Sequence, residues 1–463
     1  MVFSSSIFLF AFLPIVFLFY FVFFRKKRKL QNIFLFFVSI IFYAWGEPIF
    51  VLLMLATIVV NWFCAIRINK ISRGRGGKLW LTLGLIYNIG ILFVFKYLFF
   101  LLENFNLLFN TNILIKGFSL PIGISFFTFQ AMSYLIDVYR GTGIAQKNPL
   151  YVGLYISFFP QLIAGPIVRY ETVADQIDNR QESYELFSEG TARFIFGLSK
   201  KVILANSLAI IADAAFGNVS PAFSLAWLGA IAYALQIFFD FSGYSDMAIG
   251  LGKMFGFKFY ENFNYPYTSK SISEFWRRWH ISMGTWFRDY IYFPLGGSRV
   301  KKSRMILNLF IVWLLTGLWH GANWTFIIWG VYYFFIITTE KLIGVEKKKI
   351  PKVLGVIYTL LLVLFGWVLF RSENISYAFT YFKSMFSFAD GGWDVTIIYI
   401  KENIFILLFA IIACLPISLW CGKIVKNEYV KLSVKLFVLI ILALVSVTYI
   451  IKGTYNPFIY FNF

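Results

Sequence analysis

Long apolar runs separated by short, mostly basic, polar stretches set the pattern of this chain. Ile7 to Phe24, Ile33 to Trp45, Ile49 to Ile66 and Leu79 to Leu102 open it, and runs of this length predict helices that cross a bilayer. Between them lie Arg25-Lys26-Lys27-Arg28-Lys29 and then Arg67, Lys70, Arg73, Arg75 and Lys78, whereas Gly46-Glu47-Pro48 and Glu103 to Gly117 are poor in basic residues. Basic loops stay in the cytoplasm, so this alternation places the N-terminus outside. The basic run follows the first apolar stretch instead of preceding it, which argues against a cleavable signal. Leu120 to Val138 and Tyr151 to Ala164 carry Pro121, Gly123, Pro160 and Gly165-Pro166, the mark of broken or re-entrant helices. Arg169 to Glu189 reads as an amphipathic cytoplasmic segment. Further spans are expected at Gly190 to Phe216, Phe223 to Leu251, Met305 to Trp319, Trp324 to Thr338, Val353 to Phe370, Phe405 to Trp420 and Leu436 to Ile451. The pattern predicts an all-α polytopic membrane protein of roughly 11–12 transmembrane helices. It forms a single membrane-embedded domain over 1–463, with 431–463 a last span plus an extracytoplasmic aromatic tail.

Composition agrees: 60% of residues are hydrophobic and 58 are phenylalanine, which excludes an ordinary soluble domain. The net charge of +20 sits in the loops between spans, where it serves topology and anionic headgroups of the lipid bilayer. No nucleic-acid recognition module accompanies it. Cys64, Cys414 and Cys421 lack disulfide or zinc-type spacing and read as packing residues, with no metal site.

Chemistry concentrates in Ser271 to Gly321, which holds the only two histidines, each directly after a tryptophan. At 100° per residue Trp276, Trp279, Met283, Trp286, Phe287 and Tyr290 fall on one helix face and Glu274, Arg277, Arg278, Thr285, Arg288 and Asp289 on the other, with His280 on the aromatic side. Such a helix suits the boundary of water and lipid. In the apolar span that follows, Asn308, Thr316 and His320 recur at multiples of four and form one stripe. Lipid penalises unsatisfied polar groups, so the stripe is expected to face protein or a water-filled cavity.

Five stretches resemble the membrane-bound O-acyltransferase superfamily, in particular its bacterial alginate O-acetyltransferase-like branch. They are PIGISFFTFQAMSYLIDVYRG from Pro121, SFFPQLIAGPIVRY from Ser157, DFSGYSDMAIG from Asp240, NFNYPYTSKSISEFWRRWHISMGTWFRDYIYFPLGG from Asn262 and TGLWHGANW from Thr316. The resemblance implies a ring of helices around a thinned centre, where a cytoplasmic thioester donor meets an acceptor from the opposite face. It implies His320 as the catalytic histidine and His280 as its partner. It also implies an enzyme of the bacterial cell membrane that O-acylates an extracytoplasmic polysaccharide, with an extracytoplasmic esterase-like partner. D-alanyl transfer from a carrier protein and lipid acylation are the alternatives within the superfamily. A transporter or channel and a structural scaffold are the alternatives outside it, although the first lacks its expected inverted repeats and the second leaves the aromatic and arginine-rich helix beside an intramembrane histidine unexplained.

The residues support the same chemistry. Acyl transfer from a thioester to a hydroxyl needs a base matched to neutral pH, which is imidazole, so His320 is assigned as general base. No serine or cysteine here is spaced as an activated nucleophile. Asn323, one turn beyond His320 if the helix continues, is a candidate oxyanion donor. Arg277, Arg278, Arg299, Lys301, Lys302 and Arg304 are candidates for binding the phosphates of acetyl-CoA or another acyl thioester, taken as substrate with no bound cofactor; headgroup anchoring and topology explain them equally well. Asp137, Asp240 and Asp246 are expected to pair with Arg140 or with lysines and hold the architecture. The tail carries four aromatics in its last eight residues. In related D-alanylation systems a separate small subunit ends in an acyl-accepting tyrosine, and by that resemblance Tyr460 is a candidate acyl relay. Its other reading is an interfacial anchor.

Overall fold

The computed structural model describes the whole chain except residues 72–74, 115–116, 118, 389–391, 418–426, 454–456, 458 and 460–463. Tyr460, Cys421 and the end of the aromatic tail lie outside the described residues. All regular structure among the described residues is helical, and nine helices there are long and apolar enough to cross a membrane. The chain is a multi-pass membrane protein. A shorter apolar helix, Phe8–Phe23, precedes the nine. It, the 17-residue Arg28–Ala44 helix and the interrupted middle segments fall short of that length, which is why nine are found where the hydropathy pattern suggested more.

The chain divides into two compact units. The first comprises Met1–Phe194 and Ser245–Tyr260. In it α1 (Phe8–Phe23), α2 (Arg28–Ala44), α3 (Phe50–Ile71) and α4 (Gly76–Phe109) are followed by α5 (Ile124–Arg140) and the short α6 (Pro149–Ser157) and α7 (Phe159–Leu162). Breaks fall where proline and glycine predicted them: α5 starts after Gly123, whose φ is +74°. A Cβ there would meet the Leu162 carbonyl at 3.0 Å. Chain ends at such breaks survive in an apolar setting because protein groups satisfy them; the Phe159 amide, for instance, donates to Ser39 Oγ at 3.1 Å. In α8 (Tyr170–Asn179) Tyr170, Val173 and Ile177 are buried, the apolar stripe of the amphipathic segment. Glu182 beyond it pairs with Arg28 at 2.5 Å.

The second unit comprises Ile195–Tyr244 and Glu261–Phe463. The unit boundaries fall within α9 (Tyr184–Phe216) and α10 (Phe223–Met254). Two short helices, α11 (Ile272–Arg278) and α12 (Ile281–Phe287), follow, and then α13 (Lys302–His320), α14 (Trp324–Ile343), α15 (Lys352–Arg371), α16 (Ile375–Phe386), α17 (Trp393–Ala413) and α18 (Glu428–Ile451). Its core is aromatic. The Trp276 ring stands 5.2 Å from Trp313, 5.4 Å from Trp329 and 5.0 Å from Tyr333, edge-on contacts that satisfy the ring quadrupoles while burying large apolar areas.

Candidate active site

His320 is the last residue of α13, and Gly321 continues in extended backbone at φ −176°. The expected polar stripe is buried: Asn308 is 0%, Thr316 4% and His320 5% exposed. Asn308 Nδ2 donates to the carbonyls of Leu295 and Gly297, each at 3.1 Å, and so ties the loop after α12 to the side of α13. The His320 ring is enclosed by Trp319, Trp329 and Phe370, every centroid at 5.0 Å and every plane within 12° of perpendicular. Trp329 and Phe370 belong to α14 and α15, so three consecutive long helices build this pocket wall. The turn between the first two is tight. A Cβ on Gly317 would sit 2.4 Å from the Phe326 carbonyl and one on Gly330 2.4 Å from that of Trp313, which means the two backbones touch.

His280 is placed by a different device. The helix read through it from the aromatic periodicity does not exist as one helix: α11 ends at Arg278, α12 begins at Ile281, and His280 between them has φ +46°. A non-glycine residue in the left-handed region is held there only by its surroundings. Here the surroundings are the segment 262–264. The Asn264 amide donates to the Arg278 carbonyl at 2.9 Å and the Ile281 amide to the Asn262 carbonyl at 2.9 Å, so the broken helix gives its free groups to that segment. The aromatic face also differs from expectation, since Trp279, Met283, Trp286, Phe287 and Tyr290 are buried inside protein instead of lying against lipid.

The Asn262 side chain fixes the imidazole. Its Oδ1 lies 3.1 Å from His280 Nδ1 and accepts from the Ser282 amide at 3.2 Å and the Ser282 hydroxyl at 2.9 Å. A backbone amide only donates, so the Asn262 atom facing it is the oxygen, and the histidine nitrogen facing that same oxygen carries the proton. The basic lone pair is therefore on Nε2. Complete burial pushes the His280 pKa down to about 3, and the ring is neutral at neutral pH. Glu340 of α14 anchors this arrangement from below: its carboxylate accepts the amides of Ile272 and Ser273, both at 2.8 Å, and the Ser273 hydroxyl at 2.7 Å. A carboxylate on the exposed amides of a helix N-terminus is a favourable cap.

The two histidines come together through one residue. The Trp319 ring is 5.9 Å from His280 and 5.0 Å from His320. Asn323 caps α14, accepting the Thr325 amide at 3.1 Å and donating to the Glu373 carbonyl at 2.8 Å. The helix stops at His320, so Asn323 is not one helical turn beyond it and the premise of an oxyanion role falls. Arg277 pairs with Glu346 at 2.5 Å and Arg278 with Glu274 at 2.6 Å. Arg299, Lys301, Lys302 and Arg304 are exposed around the start of α13, whose length at ~1.5 Å per residue puts its first residue, Lys302, roughly 27 Å from His320. Of the acids expected to pair with Arg140 or lysines, Asp240 meets Lys201 at 2.5 Å, whereas Asp246 meets Arg193 at 2.7 Å. Asn262 and Glu340 were not singled out in the sequence. Glu340 left a trace as a lone acid near the end of an apolar span, while Asn262 left none.

The model of the membrane-bound O-acyltransferase family matches residues 143–371, a range that contains both histidines. The probable alginate O-acetylase of Pseudomonas aeruginosa is 45% identical over 404 residues, covering 86% of this chain and 76% of that protein. The peptidoglycan O-acetyltransferase of Helicobacter pylori is 37% identical over 419 residues, 83% of this chain and 80% of that one. The teichoic acid D-alanyltransferase of Bacillus subtilis is 31% identical over 280 residues, 54% of this chain and 69% of that one. With both histidines buried against a shared tryptophan and relatives this similar over most of its length, the chain belongs to the membrane-bound O-acyltransferase family.

Proposed function

We propose that this O-acyltransferase moves an acyl group, acetyl in the first instance, from a cytoplasmic thioester to the hydroxyls of an extracytoplasmic polysaccharide. The observation that carries the reading is the pair of buried histidines joined by Trp319. The polysaccharide acceptor is taken from the names of the alginate and peptidoglycan relatives, which match most of this chain. His320 removes the proton of the attacking hydroxyl as its oxygen adds to the thioester carbonyl. The tetrahedral oxyanion then collapses, the carbon–sulfur bond breaks and the thiolate leaves as a thiol by taking up the proton that His320 removed. His280, neutral and with the basic lone pair on Nε2, orients the incoming hydroxyl. Neither step needs an acyl-serine intermediate.

The acceptor in the first transfer is the Tyr460 phenol, whose aryl ester is more activated than an alkyl ester because the leaving phenol has a pKa of about 10. An extracytoplasmic esterase-like partner then passes the acyl group to the polymer. In this reading both termini are extracytoplasmic, in a bacterial cell membrane, and acetyl-CoA or another acyl thioester is the donor. D-alanyl transfer is less favoured, because the D-alanyltransferase relative matches a smaller part of the chain at lower identity.

The test is acyl transfer from labelled acetyl-CoA by the full chain in nanodiscs, with mass spectrometry of the C-terminal peptide. His320→Ala is expected to stay monodisperse and lose transfer by about 1,000-fold or more, in the range seen when a catalytic base is removed. Tyr460→Phe is expected to lose the acyl-peptide and polymer acylation together. Near-normal transfer by a well-folded His320→Ala protein would refute the base assignment, and polymer acylation by Tyr460→Phe at the unmodified rate would end the relay.

A further inference from the structure

The second unit contains an ion pair that the proposed chemistry does not use. Lys201 Nζ and Asp240 Oδ1 are 2.5 Å apart, and their side chains are 3% and 2% exposed. Lys201 lies on a π-turn within α9 and Asp240 within α10. The helices come close enough to join them because a Cβ on Gly243 would sit 2.7 Å from the Gly197 carbonyl. A buried pair is tolerated only when further hydrogen bonds satisfy both ions. Here further bonds go to the backbone of the C-terminal tail. Lys201 Nζ donates to the Pro457 carbonyl, and Asp240 Oδ2 accepts the Ile459 amide at 3.0 Å. One ion holds a tail acceptor and the other holds a tail donor two residues on, so the pair fixes both position and direction of the segment.

The helix leading to the tail contributes little hold of its own. Among the residues of α18 only Leu439 and Ser446 are buried, with Ser446 Oγ 3.1 Å from Ser199 Oγ. Ile459 is 7% exposed, in the same continuous apolar core as Trp279, Trp329 and Phe370. A tail that merely anchored in lipid at the interface has no use for two charged groups buried in the core and aimed at its backbone.

We infer that Lys201 and Asp240 are positioning residues: a clamp that docks the tail backbone at Pro457 and Ile459 into the core of the catalytic unit and thereby supports transfer. The part of this concerning transfer rests on the proposed role of the tail; the docking itself does not. Because the contacts are to backbone, the side chains at 457 and 459 are free of that task.

The experiment uses the full chain in nanodiscs, with Cys64, Cys414 and Cys421 replaced by alanine and Ile459→Cys as reporter. Maleimide labelling is expected to be slow with the native pair. It is expected to be at least about tenfold faster in Lys201→Met/Asp240→Leu, as local opening is no longer opposed. The exchanged pair Lys201→Asp/Asp240→Lys keeps opposite charges but reverses donor and acceptor, so a merely structural ion pair is restored and the clamp is not. It too is expected to label fast and to show a lowered transfer kcat with an unchanged donor KM. In a chain with the pair intact, Ile459→Pro deletes the N–H that Asp240 receives and is expected to lower kcat in the same way. Fast labelling with the native pair, or slow labelling in both altered pairs, overturns the clamp. Wild-type kcat with a released tail, or in Ile459→Pro, overturns its positioning role. A failure of Tyr460→Phe to affect transfer would remove the relay and leave the labelling result unchanged, so the two readings fail separately.

Discussion

The two histidines are held by opposite means. His320 ends a long helix inside a shell of aromatic rings, whereas His280 depends on one amide oxygen and a left-handed backbone. With its pKa lowered to about 3 by burial, His280 contributes to acid sensitivity with a definite sign. An unfolded chain takes this proton near 6.5 and the folded one does not until about 3, so stability falls as pH drops from 6.5 toward 3 and is unaffected above that window. Asn262 is what keeps the proton on Nδ1. Asn262→Leu is expected to lower kcat by about 10–100-fold, the usual cost of losing such an orienting partner, with donor KM unchanged. Asn262→Asp keeps the acceptor and adds a charge that raises the His280 pKa, so it regains activity at high pH and gains a new acid limb in the kcat profile. Wild-type kcat in Asn262→Leu, or a flat profile in Asn262→Asp, would show that the tautomer is irrelevant to the reaction. The histidines were legible in the sequence because there are two of them and each follows a tryptophan. Asn262 was not, since a separation of eighteen positions obeys no spacing rule and only the broken backbone at His280 brings the two together.

Among the elements, the hairpin of α13 and α14 carries the site, because His320 is the last residue of the first helix and Trp329 lies on the second. Backbone contact through Gly317 and Gly330 fixes their separation. Close approach of this kind is how helices associate where no hydrophobic gain separates protein from lipid. Gly330→Ala forces a methyl to within 2.4 Å of a carbonyl oxygen, so it is expected to destabilise by about 1–3 kcal/mol and to lower kcat as His320 shifts. Gly90→Ala in α4 has nothing within 4 Å of the new Cβ and is expected to be neutral or slightly stabilising. Thermal unfolding of both variants in one detergent checks the contrast, and equal midpoints would contradict it. This scale also explains the one helix that was misread. The aromatic stripe Trp276, Trp279, Met283, Trp286 continues across the break because apolar periodicity records which residues are buried and not whether the backbone between them is continuous.

For the whole molecule, apolar runs and basic loops made the membrane class and most spans legible, because lipid imposes length and composition directly. The division into two units was not legible, since hydropathy does not encode which spans pack together. Charge placement leaves one question that can be decided. Arg299, Lys301, Lys302 and Arg304 surround the first turn of α13, and cations at a helix N-terminus oppose its dipole at about 0.3–1 kcal/mol each. Either topology alone retains them, or an anion gathers there and offsets the cost. A thioester donor that carries phosphates, as proposed above, would supply such an anion one helix length from His320. Replacing all four with glutamine separates the two explanations. If they bind the donor, its KM rises about tenfold or more with kcat little changed, and the salt dependence of KM weakens because screened charge contacts have been removed. A cysteine at Ser303 that reacts from the same face as in the otherwise unaltered chain verifies that the span has kept its orientation. With orientation kept and the donor KM and its salt dependence unchanged, the cluster serves topology alone and the donor phosphates bind elsewhere.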